Sequence, residues 1–390
     1  MSSTYNKNRI YFDHSATTPV EPEVVEAMKP FFNQTFGNAS SIHTFGQEAK
    51  VSLEEARRQV AGLLGAEPAE IVFTSGGTEA DNWAIKGTAT LFEGRMKHIV
   101  TSTVEHHAVL YACKYLQKRG FELTYVSVDQ NGIVSPEKVA EALREDTFLV
   151  SIMHANNELG TINPIREIGA IARAKGILFH TDAVQTFGKI PIDVKDMNVD
   201  LLSLSGHKIY GPKGIGALFI RRGVQIDKFF HGGKHERDRR AGTENVPAAV
   251  GLGKAAEICQ NRMEKDFGYL RNLSNKLYSK ISKTIPEVFL NGHPSRRVPG
   301  ILNLSFEGVE SESLLLNLDL KGIAVSNGSA CSSGSVEPSH VLKALGLPKN
   351  LANSAIRFSL GRENTSEEID LTVDALKEIV ERLRGLNRRK

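Results

Sequence analysis

Seven short stretches within the first 220 residues are apolar at most positions: EIVFTS (70–75), KHIVTS (97–102), ELTYVSV (122–128), TFLVSIMH (147–154), GILFHTD (176–182), DLLSLS (200–205) and GALFI (216–220). A strand with one face in water alternates apolar and polar residues, whereas most of these runs are near-continuous. They predict strands covered on both faces. Between many of them apolar residues recur at helical three- and four-residue steps, as in 78–92 and 165–176. Strand and helix in alternation predict an α/β domain around a mostly parallel sheet. In that architecture ligands sit at the carboxyl ends of strands.

From about residue 245 the pattern changes. A helical stretch covers roughly 245–284, followed by short extended runs (VFLNG, GILNLSF, IRFSL) mixed with helices. In the closing segment Ile369, Val373, Leu376, Ile379, Val380 and Leu383 share one face, with Ser366 as the expected N-cap. This α+β pattern predicts a second, smaller domain.

With 41% hydrophobic and 24% charged residues, the 390-residue chain can bury a large core, and its length suits two or three domains. A net charge of +3 is nearly neutral for this size, and the basic end (Arg388, Arg389, Lys390) reads as a solvated tail, so no nucleic-acid partner is expected. No stretch approaches the roughly 18 apolar residues of a membrane helix. The start, MSSTYNKNRI, lacks the apolar region of a secretory signal. A cytoplasmic protein without membrane contact is expected. The three cysteines include no CxxC pair and form no paired framework. Cys113 and Cys259 lie in helical apolar patterns and read as small buried hydrophobes. Cys331, in GSACSSGS, has only small, flexible neighbours that offer it no core.

Candidate chemistry then narrows the reading. In EIVFTSGGTEADN a strand runs into Gly76 and Gly77, and Thr78 opens a helix. Exposed N–H groups at a helix start attract an anion, and glycine lets a phosphate approach. A plain tight turn explains that motif equally well, and without the lysine of GxxxxGK[ST] it is no nucleotide P-loop. FHTDAVQTFGK sets Asp182 and Gln185 at a strand end, where the carboxylate either caps a helix or keeps a pyridinium nitrogen protonated. DLLSLSGHKIYGPKGIGALFI delivers Ser205, His207 and Lys208 together, a setting for an amine that forms a Schiff base with an aldehyde cofactor. Lys213, inside GPKG, reads as a turn position. A phosphate cradle, a ring-nitrogen acid and a strand-end lysine, in this order, are the anchors of a pyridoxal 5'-phosphate site. Arg357 lies between apolar residues and needs an anionic partner, since burying an unpaired guanidinium is costly; a substrate carboxylate would serve. His231 and His235 are separated by two glycines, which speaks against a helical metal pair, and no metal is assigned.

SGGTEADNWAIKG, VEHHAV, HANNELGT, HTDAVQ, SLSGHKIYGPKGIGAL, HGGKHERDRRAGTENV, VSNGSACSSGSVEPSHVL and IRFSLGR resemble, in order and spacing, the successive motifs of cysteine desulfurases. The resemblance implies an α/β, fold-type-I pyridoxal-phosphate transferase. Its large domain (17–262) would hold a mostly parallel seven-stranded sheet. A smaller α+β domain (1–16 and 263–390) would carry the cysteine loop of about 326–337. A homodimer with sites at the subunit interface is also implied. Residue by residue, it makes Lys208 the Schiff-base lysine, Asp182 the partner of the pyridine nitrogen and Gln185 that of the ring hydroxyl. His106 would stack on the ring and exchange protons, with His107 structural. Gly77, Thr78, Ser205 and His207 would hold the phosphate, and Thr243 would reach it from the other subunit. Asn157 and Arg357 would grip the carboxylate of L-cysteine.

The activity implied is transfer of the substrate sulfur to Cys331 as a persulfide, with release of L-alanine. Lys208 would be the base for the α-proton. An unperturbed cysteine, of pKa about 8.5, is mostly thiol at neutral pH and must be deprotonated to attack. The glycine- and serine-rich surroundings of Cys331 suit a carrier that attacks inside a pocket and delivers outside it. They resemble the housekeeping and nitrogen-fixation branch, whose acceptors include an iron–sulfur scaffold protein. Cys331 would then be the residue able to ligate a cluster transiently. Housekeeping members commonly carry a further C-terminal extension that helps dock the scaffold; the chain departs from this, ending at LRGLNRRK shortly after its last helix. The rivals are a fold-type-I aminotransferase or selenocysteine lyase, of which the aminotransferase has no use for Cys331, and a sulfur-relay or scaffold subunit with a vestigial site, which has no need of Lys208, Asp182 and Arg357.

Overall fold

Each of the seven apolar runs forms a strand of one sheet in the computed structural model, which describes residues 9–327 and 338–387. In chain order the strands are β1 (Ile10–Tyr11), β2 (Ile71–Thr74), β3 (His98–Ser102), β4 (Glu122–Val126), β5 (Thr147–Ser151), β6 (Leu178–Asp182), β7 (Leu201–Ser205), β8 (Gly216–Ile220), β9 (Val288–Asn291), β10 (Ile301–Phe306), β11 (Ile323–Ala324) and β12 (Ala355–Ser359). The large sheet has the order β2-β8-β7-β6-β5-β3-β4. It is parallel except for β8, which runs antiparallel to both β2 and β7.

Near-continuous apolar runs are explained by cover on both faces. Ala217 and Phe219 of β8 enter one core with Val60 and Leu252 from the helices Thr44–Gly62 and Val246–Thr284. Leu218 and Ile220 enter another with Trp83 and Ala84 of the helix Gly77–Phe92. Alternate side chains of a strand point to opposite faces, so both sets must be apolar. Cys113 is buried in a third cluster with Ile85, Val109 and Phe148, as a small hydrophobe.

The helix Val246–Thr284 is continuous over 39 residues and joins two cores. Leu252, Ala255 and Ala256 pack against the large sheet, whereas Leu273, Leu277 and Ile281 pack on a three-stranded antiparallel sheet of order β12-β10-β9. The second core also takes Ile369, Val373, Leu376, Ile379 and Val380 from the last helix, with Leu383 partly buried against it. Ile10 and Phe12 belong to it too, and β1 pairs in parallel with β11. Thr365, and not Ser366, supplies the cap of the last helix. The Glu368 N–H donates to Thr365 Oγ1 at 3.3 Å, and the Thr365 N–H donates back to the Glu368 carboxylate at 3.0 Å. That reciprocal pair is a capping box, which places the cap one residue earlier.

Strand β12 shows how the smaller sheet serves the site. Ile356 and Phe358 point into its core, so Arg357 points away from it, with Asn303 as its neighbour on β10. Among the described residues no helix is long and apolar enough to cross a membrane.

Candidate active site

The parallel strands end on one edge of the large sheet, and a cavity of about 510 Å³ opens there. Segments leaving β2, β3, β5, β6 and β7 supply Gly77 and Thr78, His106, Asn157, Asp182 with Gln185, and Ser205, His207 and Lys208 in turn. Arg357 completes the wall from β12. All these candidates therefore meet in one place.

At the turn after β2, Gly76 has φ 154° and ψ −179°, a backbone conformation essentially restricted to glycine. A Cβ added to Gly77 would strike Cγ2 of Val184 at 2.7 Å, so the turn presents bare backbone. The helix Gly77–Phe92 starts there, with its first N–H groups lacking intrahelical partners. Glu79 in this first turn accepts the Ser75 N–H at 2.8 Å and is held by Arg240 at 2.9 and 3.2 Å. Its charge is thus matched locally, leaving the helix start attractive to an anion.

Lys208 follows β7 in a tight turn, where Tyr210 holds a left-handed φ of 65°. Several contacts enforce that conformation: the Tyr210 N–H donates to Thr18 Oγ1 at 2.8 Å, and the Arg362 guanidinium lies 4.3 Å from its ring centre. Lys208 Nζ donates to the carbonyls of Ser15 (2.6 Å) and Ala16 (2.7 Å). His207 Nδ1 is 3.1 Å from Thr17 Oγ1. Asp182 accepts the Val184 N–H at 2.9 Å, so it closes a turn and caps no helix. Burial pushes its carboxyl up to about 6, opposed by that N–H and by the Lys208 charge. Asp81, on the helix Gly77–Phe92, is also raised by burial and by Asp182; its Oδ1 has no hydrogen-bond partner among the described residues. A cationic ring nitrogen at this pair of acids would draw both back toward the ionised form.

His106 is both the N-cap of the helix His107–Gln117 and a cavity residue. Its Nδ1 accepts the Ala108 N–H at 3.2 Å, which leaves the proton of the neutral ring on Nε2. Burial and then the Lys208 charge push it down to about 4, so it is neutral at neutral pH. Arg357 donates to the Asn157 carbonyl at 2.9 Å and pairs with Asp13 at 2.7 Å, while its buried Nε has no partner among the described residues. The anion that its burial demands is therefore Asp13, with the Nε edge left for a further acceptor.

Cys331 lies outside the described residues, but both flanks of its segment are at the site. Ser326 exchanges two backbone hydrogen bonds with Arg357, at 3.2 and 2.6 Å. Pro338, Ser339 and His340 line the cavity, and His340 Nε2 is 3.0 Å from the Glu105 carbonyl. Cys331 follows Ser326 by five positions in the sequence.

Thr243 does not line this cavity; it borders a separate one of about 210 Å³. Its segment is anchored by Glu236, which takes two hydrogen bonds from Arg57 (2.6 and 2.9 Å), and by Arg240 on Glu79. Cavity residues not anticipated from the sequence include Asp81, Tyr111, Glu158 and His340, with His107 beside them. Asp81 was findable in principle, because it falls three residues after Thr78 on the same helical face.

Pyridoxal 5'-phosphate fits this donor set. A bare-backbone helix start suits its phosphate, buried acids suit its ring nitrogen, and Lys208 brings an amine to the same cavity. The family model for class-V aminotransferases matches residues 10–372. A cysteine desulfurase, IscS, of Methanosarcina thermophila is 55% identical over 99% of this chain and 95% of its own. That of Dictyoglomus turgidum is 53% identical over 98% of this chain and 97% of its own. Among solved structures, a NifS-like protein superposes with TM-score 0.90 at 41% identity, covering 96% of this chain and 99% of that one. SspA, solved in complex with cysteine, gives 0.82 at 40% identity over 90% and 98%. The chain belongs to the class-V aminotransferase family and, within it, to the pyridoxal-phosphate-dependent cysteine desulfurases.

Proposed function

We propose that the protein moves sulfur from L-cysteine to Cys331 and releases L-alanine, with the persulfide passed to iron–sulfur cluster assembly or to other thio-cofactor acceptors. The observation that carries this reading is the anchoring of both flanks of the Cys331 segment at a cavity lined by Lys208 and Arg357. When bound, pyridoxal 5'-phosphate supplies the sink for electrons released at the substrate Cα.

The residues then divide the work. Gly77, Thr78, Ser205 and His207 hold the phosphate, Asp182 the ring nitrogen and Gln185 the ring hydroxyl. His106, which lines the cavity, would lie against the ring. Asn157 and the open Nε edge of Arg357 bind the substrate carboxylate. Lys208 Nζ would be the base that takes the α-proton. The Cys331 thiolate attacks the substrate sulfur: an S–S bond forms, the substrate C–S bond breaks, and the carbon skeleton leaves as alanine. Without an external oxidant, one cysteine and one thiol give one alanine and one persulfide.

We further read the chain as a cytoplasmic homodimer, with Thr243 reaching the partner's phosphate site. Phe36 (64% exposed), Ile42 (91%) and Phe45 (54%) form an apolar stretch of the kind that a subunit interface covers. We read a large domain of 17–262 and a smaller one of 1–16 and 263–390; the second core is drawn from the smaller one alone, although Val341, Leu342 and Leu345 of that range pack into the first.

Purified holoprotein given L-cysteine and a reductant is expected to release alanine and sulfide in equal amounts. A keto acid without sulfide would exclude the proposal. In Arg357→Lys the planar fork is lost, and KM for L-cysteine should rise about tenfold to hundredfold, the worth of a hydrogen bond to a charged group. Steady-state kinetics with an unchanged KM would remove Arg357 from substrate binding.

A further inference from the structure

Lys189 is a half-buried lysine with no task assigned so far. It follows Gln185 by four residues in the irregular turn after β6, and its Nζ donates to Gln185 Oε1 at 3.2 Å. Gln185 Nε2 donates to the Ser15 carbonyl at 3.0 Å, the same oxygen that accepts from Lys208. A side-chain amide is nearly symmetric in shape, and only its neighbours decide which end is oxygen. Here both neighbours decide alike. An ammonium can only donate, so Oε1 must face Lys189; a carbonyl can only accept, so Nε2 must face Ser15. The second N–H of Nε2 is left for the cavity, which Gln185 and Ser15 line.

We propose that Lys189 is a positioning residue for the cofactor ring, acting through Gln185. It locks the amide so that an N–H, and never the carbonyl, meets the ring oxygen. The inference rests on the reading of Gln185 as the partner of that oxygen. A reversed amide would set oxygen against oxygen and repel the phenolate form. Lys189 borders a small cavity of about 40 Å³ behind Lys208, with His14, Tyr210, Cys259, Asp266 and Arg362 around it. The carboxylate among these, Asp266, is bound by Arg362 at 2.5 Å. Arg357 adds a more distant positive charge. Burial and then the Lys208 charge push Lys189 down to about 7. As the ammonium it can only donate, and the neutral amine still faces Oε1, because the Ser15 carbonyl holds Nε2 on the other side.

The readout is the visible absorption band of the holoenzyme titrated with pH, which follows the proton on the Lys208–cofactor linkage. A donor on the ring oxygen and a positive charge nearby both weaken the hold on that proton. Removing Lys189 therefore raises the midpoint, by about one pH unit in K189M. K189Q, which can still donate to Oε1, should recover about half of the shift, the usual share of a retained neutral donor. In a Q185A background K189M should add clearly less, because only the direct effect of the charge remains. K189A is read in the same way should K189M fail to fold. An unchanged midpoint in K189M, with Q185A displaced, overturns the role of Lys189 alone. An equal shift with and without Gln185 does the same. A Q185A midpoint equal to wild type refutes the reading of Gln185, and the inference falls with it.

Discussion

Lys208→Ala protein is expected to lose L-cysteine desulfuration by about a thousandfold, within the range for removal of a general base. The visible band of the holoenzyme should disappear with it. Both follow from one atom. Lys208 Nζ is the amine held by the Ser15 and Ala16 carbonyls, and in the proposed reading it would serve first as covalent anchor and then as base. The Gly77 turn and Asp182 do not depend on it, so added pyridoxal 5'-phosphate should still bind, without the linkage. Absorption spectra and turnover of the same preparation test this. Activity within tenfold of wild type would assign the chemistry to another group.

Cys331→Ala has the other large effect, and its signature is opposite. The cofactor band and the spectral response to L-cysteine should persist, because the residues that hold both lie elsewhere. Alanine and sulfide should fall together, again by about a thousandfold, the scale of losing a catalytic nucleophile. Unfolding temperature should stay close to that of wild type. A variant that loses its cofactor band would make Cys331 part of the binding site. One that keeps its turnover would make it a bystander.

Much of this was readable before folding, for identifiable reasons. A strand buried on both faces needs an apolar residue at nearly every position, which is why runs such as TFLVS and LLSLS announced themselves. Lys208, Asp182 and Gly77 were legible because the ends of such strands are where this architecture builds sites. The reversed direction of β8 left no mark, as an apolar run reads alike both ways. Pairings between distant segments were also invisible. Asp13 and Arg357 lie 344 residues apart, and their 2.7 Å contact depends on β12 turning its polar face to the cavity. The Lys189–Gln185 contact spans only four residues, but its meaning needed the Ser15 carbonyl on the far side of the amide. The cap at Thr365 was missed by one position because Ser366 is an equally good residue type.

Of the three thiols, burial pushes Cys113 up to about 12 and also raises Cys259, which accepts a hydrogen bond from Arg362 at 3.2 Å. Neither is a ready nucleophile, and the account places the transferred sulfur on Cys331. The most direct test is mass spectrometry of the holoprotein after brief exposure to L-cysteine without reductant. The account predicts one added sulfur atom on the peptide containing Cys331, matched by one alanine, with Cys113 and Cys259 unmodified. Alanine formed in full while Cys331 never gains sulfur, or sulfur found on either buried thiol instead, would contradict it.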